Sequence, residues 1–219
     1  MNFKRILFLV ALCLPFSVFA QTASKASRDP VEVSDIKFSM IKRNDVAGAG
    51  GNMVRCEVVL LSKTGDVENP KSKWVRNVEV EIMVAYEDIK GGGSSKGKYQ
   101  FMRSKAKIFA LEKMKKTSVV FYIPWESYSI YGISGDPYMY KVSLSAGGTD
   151  IPLTKDNLKS RISNKITSME ALNKFEDLIG SSSSLNDGVF KPLNECAYNI
   201  QFYEYNSSKQ PVPTYMPTK

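Results

Sequence analysis

The feature that most constrains this chain is a series of short segments in which apolar and polar residues alternate. One face of the first example carries Val54, Cys56, Val58 and Leu60. One face of the second carries Val78, Val80, Ile82 and Val84. Alternation with a period of two is typical of β-strands with one buried face. Clusters of Gly, Asn, Asp, Ser and Lys separate the segments, which favours antiparallel strands joined by turns.

The alternation predicts seven strands. Their ranges are 31–41, 53–61, 74–86, 99–110, 116–123, 138–146 and 195–205. The phase slips once near Ser34 and Asp35, as it does at a β-bulge. In the last predicted strand, Cys196, Tyr198, Ile200 and Phe202 share one face.

Between the sixth and seventh predicted strands the periodicity changes. Residues 155–179 place apolar side chains at helical spacing, which predicts a helical insertion. Thr167 and Glu170 fit a capping box, so we expect the helix to break and restart there. The pattern as a whole predicts a mainly β, immunoglobulin-like β-sandwich of about seven strands with a helical insertion before the last strand.

The N-terminus predicts export. Lys4 and Arg5 precede the apolar run 6–14, and Ala20 ends a segment of the kind that signal peptidases cleave. The run is shorter than the roughly 18 residues that a membrane span needs. Lipidation at Cys13 is the alternative, although Leu12 stands where a small residue is expected.

The predicted organisation is therefore a signal peptide at 1–20, a flexible leader at 21–30, one sandwich domain at 31–206 and an extended, exposed tail at 207–219. We expect the mature protein in the periplasm, at the periphery of the outer membrane or at the cell surface. Two cysteines, Cys56 and Cys196, remain after cleavage. In an oxidising compartment they predict one disulfide, and two buried free thiols are the alternative.

The composition excludes several function classes. The chain contains no histidine, so Ser-His-Asp and Cys-His catalysis and histidine-ligated metals are excluded. The sequence offers no placeable pair of catalytic carboxylates and no calcium-loop spacing. We therefore expect a protein that is not an enzyme and that uses no cofactor or metal.

The positive charge is concentrated in one segment. Residues 96–116 hold eight lysines and arginines against one glutamate, which accounts for nearly all of the formal net charge of +8. A hairpin between the third and fourth strands would pair Glu79 with Lys107 and Glu81 with Lys105. Lys113, Lys115 and Lys116 would remain as a patch, either solvated or docking an acidic protein, lipid headgroup or glycan. Nucleic acid is not an expected partner, because no recognition motif is present.

Aromatic residues are concentrated in another segment. Seven of them fall in residues 121–140, among them Trp125, Tyr128, Tyr131 and Tyr138. Such a loop can be a platform for sugars or proteins, because aromatic rings bury a large area at low entropic cost. The alternative is that these rings pack over the open end of the sandwich.

With these features assembled, the chain resembles the pilus-like exported proteins of mucin-associated gut bacteria. The resemblance is carried by the overall run, for instance residues 53–60 (MVRCEVVL) and 125–128 (WESY). It implies an immunoglobulin-like sandwich, distantly similar to archaeal pilus and archaellum components, and it implies no catalytic residue. One departure is that the apolar N-terminal run precedes Ala20 and is expected to be removed, which favours an accessory, capping or envelope-anchored role over polymerisation.

The sequence therefore predicts a non-enzymatic interaction protein of a pilus-like or secretion-associated envelope assembly, with protein partners, peripheral membrane contact at most, and a capacity to oligomerise. The alternative is an adhesin-type module for host or envelope glycans. Its predicted contacts are the aromatic residues Trp125, Tyr128, Tyr131 and Tyr138 together with the basic residues Lys113, Lys115 and Lys116.

Overall fold

The computed structural model describes residues 29–42, 51–66, 68–87, 99–133, 135–181, 185–207 and 209–217. The predicted signal peptide, most of the predicted leader and the tip of the predicted hairpin, residues 91–98, lie outside the described residues.

The fold is mainly β, with 47% of the described residues in strands and 22% in helices, and two sheets form a sandwich. The strands are β1 (Val31–Ile41), β2 (Met53–Ser62), β3 (Trp74–Glu87), β4 (Tyr99–Glu112), β5 (Lys116–Ile123), β6 (Met139–Ala146), β7 (Thr149–Ile151), β8 (Leu185–Asp187), β9 (Lys191–Pro192) and β10 (Tyr215–Met216). The helices are α1 (Trp125–Tyr131), α2 (Leu158–Arg161), α3 (Met169–Ser181) and α4 (Tyr198–Ser207).

One sheet has the order β1-β2-β5-β9, and the other has the order β10-β4-β3-β6-β7, with β8 parallel to β4. The core lies between the sheets and is built from the alternating apolar residues of β2, β3, β4, β5 and β6. The predicted sandwich is confirmed, and so are the first six strands to within a few residues at their ends.

The β3–β4 hairpin has the predicted register. Glu79 pairs with Lys107 and Glu81 with Lys105 across the two strands. The Glu79 carboxylate lies 3.3 Å from the Lys107 ammonium and 3.4 Å from that of Lys105. The bulge predicted near Ser34 is also present, as a register shift between Val33 and Asp35.

The predicted seventh strand is wrong, because residues 195–205 form the end of a 3-10 turn (Leu193–Glu195) followed by α4. The buried residues of this segment are Cys196, Ile200 and Glu204, which are four residues apart. The apolar residues of this segment alternate as they do in a strand. The buried side of the helix includes the charged Glu204, so it does not show as an apolar pattern of helical period. A short segment of this kind is ambiguous between the two periods.

The helical insertion is present but shorter and interrupted. It consists of α2 and α3, and the break lies where the sequence predicts one. The cap differs from the predicted Thr167 capping box, since the Ser168 hydroxyl accepts a hydrogen bond from the Ala171 N–H at 3.1 Å. Ser168 is therefore the N-cap residue of α3, which begins at Met169.

The segment 211–216, predicted to be an exposed tail, lies against both sheets. Its strand β10 pairs with β4 at Ile108 and Lys107. Two hydrogen bonds link the segment to the other sheet. The Val120 N–H donates to the Tyr215 hydroxyl at 3.0 Å, and the Ser118 N–H donates to the Pro211 carbonyl at 3.1 Å.

The predicted Cys56–Cys196 disulfide is not formed, and both residues are buried free thiols. Cys56 belongs to the core between the sheets, whereas Cys196 packs with Val120 and Tyr122 on the outer face of the β1-β2-β5-β9 sheet. The sheet itself therefore separates the two sulfur atoms. Burial raises the pKa of Cys196 to about 12 and the pKa of Cys56 well above its usual range, so both thiols are protonated.

Candidate functional site

The two groups of predicted contact residues lie at opposite ends of the sandwich. Lys113, Lys115 and Lys116 are in and just after the β4–β5 turn, whereas Trp125, Tyr128 and Tyr131 are in α1, which follows the other end of β5. The eight residues of β5 separate them by roughly 25 Å at the usual rise of a strand. The structure does not bring these residues together into one surface.

The lysine patch is also less free than predicted. The Lys115 ammonium lies 2.7 Å from the Glu112 carboxylate, and the Lys113 ammonium donates to the Pro70 carbonyl at 3.4 Å. Exposed ion pairs of this kind contribute little to stability, but they reduce the charge that a partner would meet.

The aromatic segment divides between packing and exposure. Tyr128 and Tyr131 are half-buried against the core, as the packing alternative predicts. Trp125 is 40% exposed. Tyr138 is also partly exposed and stacks on Tyr99, with ring centroids 5.3 Å apart. This segment is therefore not a single aromatic platform.

A polar cluster that sequence reasoning missed holds α4 against the outer face of the β1-β2-β5-β9 sheet. Glu204 of α4 is almost fully buried, and Arg55 of β2 binds it through two nitrogens, with Nη2 at 2.9 Å from Oε2. The Tyr122 hydroxyl donates to the same carboxylate. Arg55 Nη1 donates to Glu57 at 2.7 Å, and Ser118 donates to Glu57 from β5.

The electrostatics of the cluster follow from these contacts. Burial alone would raise the pKa of Glu57, but the hydrogen bonds from Arg55 and Ser118 outweigh it and lower that pKa below its ordinary value. Burial and the neighbouring Glu204 charge raise the pKa of the Tyr122 phenol, which keeps it protonated as a donor. The cluster is thus a closed set of donors and acceptors that orients one helix.

Because Ile200 and Glu204 face the sheet, the opposite face of α4 is turned to solvent. That face carries Tyr198, Phe202 and Tyr205, which are 78%, 59% and 57% exposed. The rings of Tyr198 and Phe202 are neighbours, with centroids 6.3 Å apart. Glu204 is the only charged residue in the helix sequence YNIQFYEYNS, and it points inward.

We call Tyr198, Phe202 and Tyr205 the α4 aromatic face. The four-residue spacing of Cys196, Ile200 and Glu204 was the signal that could have revealed it. Once that spacing is taken as the buried side of a helix, the residues on the opposite side, Tyr198, Phe202 and Tyr205, are expected to be exposed.

Strand β1 is a second candidate contact, because it is the edge of its sheet. Its edge is blunted by the bulge at 33–35 and by charged residues that form ion pairs, Lys37 with Asp35 and Glu32 with Lys63. Bulges and charges are the usual means by which edge strands avoid adding a partner strand. The α4 aromatic face is therefore the better candidate.

Among the described residues, no cluster of three or more acidic or cysteine side chains is placed to hold a metal ion. Within the same part of the chain, no helix combines the length and the apolar character that crossing a membrane requires.

The chain was compared with protein families, curated proteins and solved structures. No protein-family model and no curated protein matches the sequence. Among solved structures, the chain is similar to a crystal structure of a protein from Akkermansia muciniphila, with a TM-score of 0.58 and 12% identity. The alignment covers 86% of this chain and 93% of that chain. At this level of identity the likeness shows a shared fold alone.

Proposed function

We propose that this protein is a non-enzymatic interaction subunit of an exported, pilus-like or secretion-associated assembly of the cell envelope. It acts by protein–protein contact, and its partner is another protein of that assembly. The predicted signal peptide supports the exported location, and the resemblance to pilus-like exported proteins supports the kind of assembly. The fold shared with the Akkermansia muciniphila protein is consistent with both.

The single observation that carries the proposal is the α4 aromatic face. Three large rings at 57% exposure or more stand side by side on one helix whose outward face has no charge. Aromatic enrichment and charge depletion are the composition of the centre of a protein interface, and Tyr residues are frequent hot spots. Exposing such a face permanently has no structural benefit to the fold itself.

The orientation of α4 supports the same conclusion. The pair formed by Arg55 and Glu204 fixes the rotation of the helix about its axis, and an ion pair at this depth stabilises a fold poorly compared with apolar packing. The ion pair instead provides conformational specificity, because it keeps the rings of Tyr198 and Phe202 on the outward side of the helix.

The experiment is site-specific photo-cross-linking in cells that produce the protein from its own gene. A benzophenone amino acid replaces Phe202, which is 59% exposed, or Phe109 of β4, which is 58% exposed and serves as the matched control. We expect irradiation to join the Phe202 variant to an envelope protein, and the Phe109 variant to give no such product.

Equal labelling from both positions, or no product from position 202, would contradict the proposal. A double variant, Y198S/F202S, complements this test. It should remain folded, because both side chains are exposed, and it should be lost from the cross-linked envelope complex while the free protein persists.

A further inference from the structure

A groove lies at the open seam between the two sheets, at a different surface from α4. Its floor includes Phe38 of β1 and Tyr140 of β6, whose ring centroids are 5.3 Å apart. The connection that contains α2, residues 155–167, forms one wall. The cavity has a volume of ≈ 980 Å³, which is at the upper end of the range of small-molecule sites. We call it the seam groove.

The wall of the seam groove is held in place by buried hydrogen bonds. Arg161 is 2% exposed and donates to the carbonyls of Val142 at 3.0 Å and Ile151 at 2.9 Å. The Ser163 N–H donates to the Tyr140 carbonyl at 3.0 Å. The wall is therefore anchored to β6 and β7 before any ligand arrives, and such preorganisation favours affinity.

The charge of the seam groove is positive. Lys155, Lys159 and Lys165 line it, and Asp136 is its acidic residue. None of the three lysines forms an ion pair with a residue that the structure describes. The Lys165 ammonium lies 5.4 Å from the centroid of the Tyr138 ring, a cation–π contact that keeps this cation at the groove.

The seam groove also contains an unsatisfied buried hydroxyl. Ser163 lines it and is 4% exposed, and its Oγ has no hydrogen-bond partner among the described residues. Buried polar atoms are nearly always paired, so rotation of this side chain toward the groove would give the hydroxyl the partner that the described residues do not supply.

We propose that the seam groove binds an acidic saccharide, that is, a sugar that carries a carboxylate or a sulfate ester. The unpaired lysines supply cations for the acid group, the rings of Phe38 and Tyr140 offer an apolar floor to the C–H face of a sugar ring, and Ser163 offers a hydroxyl. A peptide of glutamates would pair with the lysines but has no ring whose C–H face fits the aromatic floor. The proposal does not rest on the α4 aromatic face.

The test is calorimetric titration of the purified protein with three probes built on one scaffold, namely lactose, 3′-sialyllactose and lactose 3′-sulfate. We expect binding of at least one acidic probe and a weaker response to neutral lactose. The variant K155Q/K159Q/K165Q should lose about tenfold or more in affinity for that probe, because charge-assisted hydrogen bonds are the stronger kind. The carboxylate and sulfate probes distinguish the two acid groups.

The matched control is K113Q/K115Q/K116Q, which removes the same charge at the β4–β5 turn and should leave the affinity unchanged within about twofold. The variant S163A should weaken binding without a loss of thermal stability, since its hydroxyl has no partner in the fold. The absence of binding to both acidic probes, an equal loss in the control, or tighter binding of a short glutamate peptide would overturn the proposal. Binding that survives in Y198S/F202S separates this site from α4.

Discussion

At the scale of single residues, the ion pair between Arg55 and Glu204 explains how a helix without a strongly apolar face is held on a sheet. The Glu204 side chain is 2% exposed and that of Arg55 is 15% exposed. Removing one partner leaves the other as a buried charge, which is far more costly than removing both.

We therefore expect Arg55→Met to lower the free energy of unfolding by about 3–5 kcal/mol. The double variant R55M/E204L should be more stable than R55M. Urea denaturation measures both. The exposed pair of Lys174 and Glu170, with side chains 71% and 79% exposed, is the control, and Lys174→Met should cost less than about 1 kcal/mol. An R55M variant as stable as K174M would contradict this account of α4.

The lowered pKa of Glu57 makes stability depend on pH. The pKa is lower in the folded protein than the ordinary value of about 4.3, so the folded state favours the ionised form. This stabilisation is complete above the unfolded pKa and is lost as the pH falls through the folded pKa.

We expect Glu57→Gln to be less stable than the wild type at pH 7, and the difference to shrink as the pH falls below about 4.3 and through the lowered pKa of Glu57 in the folded protein. Chemical denaturation across pH 2–7 measures the difference. Glu170→Gln, at an exposed position, should follow the wild-type profile. A difference between E57Q and wild type that stays constant with pH would exclude this role for Glu57.

At the scale of elements, the N-terminus of α3 has two similar candidates for the N-cap residue, Ser168 and Thr167. The Ser168 hydroxyl accepts the Ala171 N–H, whereas a capping box at Thr167 would use Glu170. The two residues are adjacent, exposed and similar in chemistry, so they form a matched pair.

We expect Ser168→Ala to lower the free energy of unfolding by about 1 kcal/mol, because an N–H of the first helical turn loses its acceptor. Thr167→Ala should change it by less than about 0.5 kcal/mol, as surface substitutions usually do. Thermal and urea denaturation measure both. The reverse order of effects would restore the capping box at Thr167.

The elements also show where sequence reasoning works and where it stops. Period-two alternation located six strands, and the turn-centred pairing of Glu79 with Lys107 gave the register of β3 and β4. These signals are local, because side-chain direction in a strand depends only on position. The helical face of α4 depends on a buried Glu204, whose partner Arg55 is 149 residues away. The four-residue spacing of Cys196, Ile200 and Glu204 is a local sign of a helix, but the burial of the charged Glu204 is explained only by its distant partner.

At the scale of the whole molecule, segment 211–216 completes the sandwich. Strand β9 pairs with Phe121 and Tyr122, and within the described part of the chain the rest of this β5 edge has no partner strand. The Tyr215 hydroxyl accepts the Val120 N–H there, while β10 itself pairs with β4 of the other sheet. One short segment thus joins both layers.

We expect Tyr215→Phe to leave the Val120 N–H without its acceptor and to lower the free energy of unfolding by about 1–3 kcal/mol. Amide hydrogen exchange at Val120 should become faster. Tyr205→Phe, at a 57% exposed position, should leave both quantities nearly unchanged. Unaltered exchange at Val120 in Y215F would show that the segment does not join the layers.

The seam groove lies beyond what the sequence predicted because it joins distant parts of the chain, and the α4 aromatic face was missed because residues 195–205 were predicted to form a strand. Tyr138 was singled out as a contact residue, but its neighbour Lys165 was not, and the predicted lysines are at the other end of the sandwich. Composition identified the kinds of residue that matter, aromatic and basic. The topology decides which of them meet.

The β1-β2-β5-β9 sheet lies between Cys56 and Cys196, and this has a consequence for how the chain would respond to an oxidising environment. An oxidant acting on a correctly closed chain meets two shielded sulfurs that cannot reach each other. The same oxidant acting on an unfolded or partly folded chain can join them in a disulfide, which would hold the chain in a non-native conformation. Oxidation of this pair would therefore mark misfolded molecules, whereas both thiols of the folded protein would stay reduced.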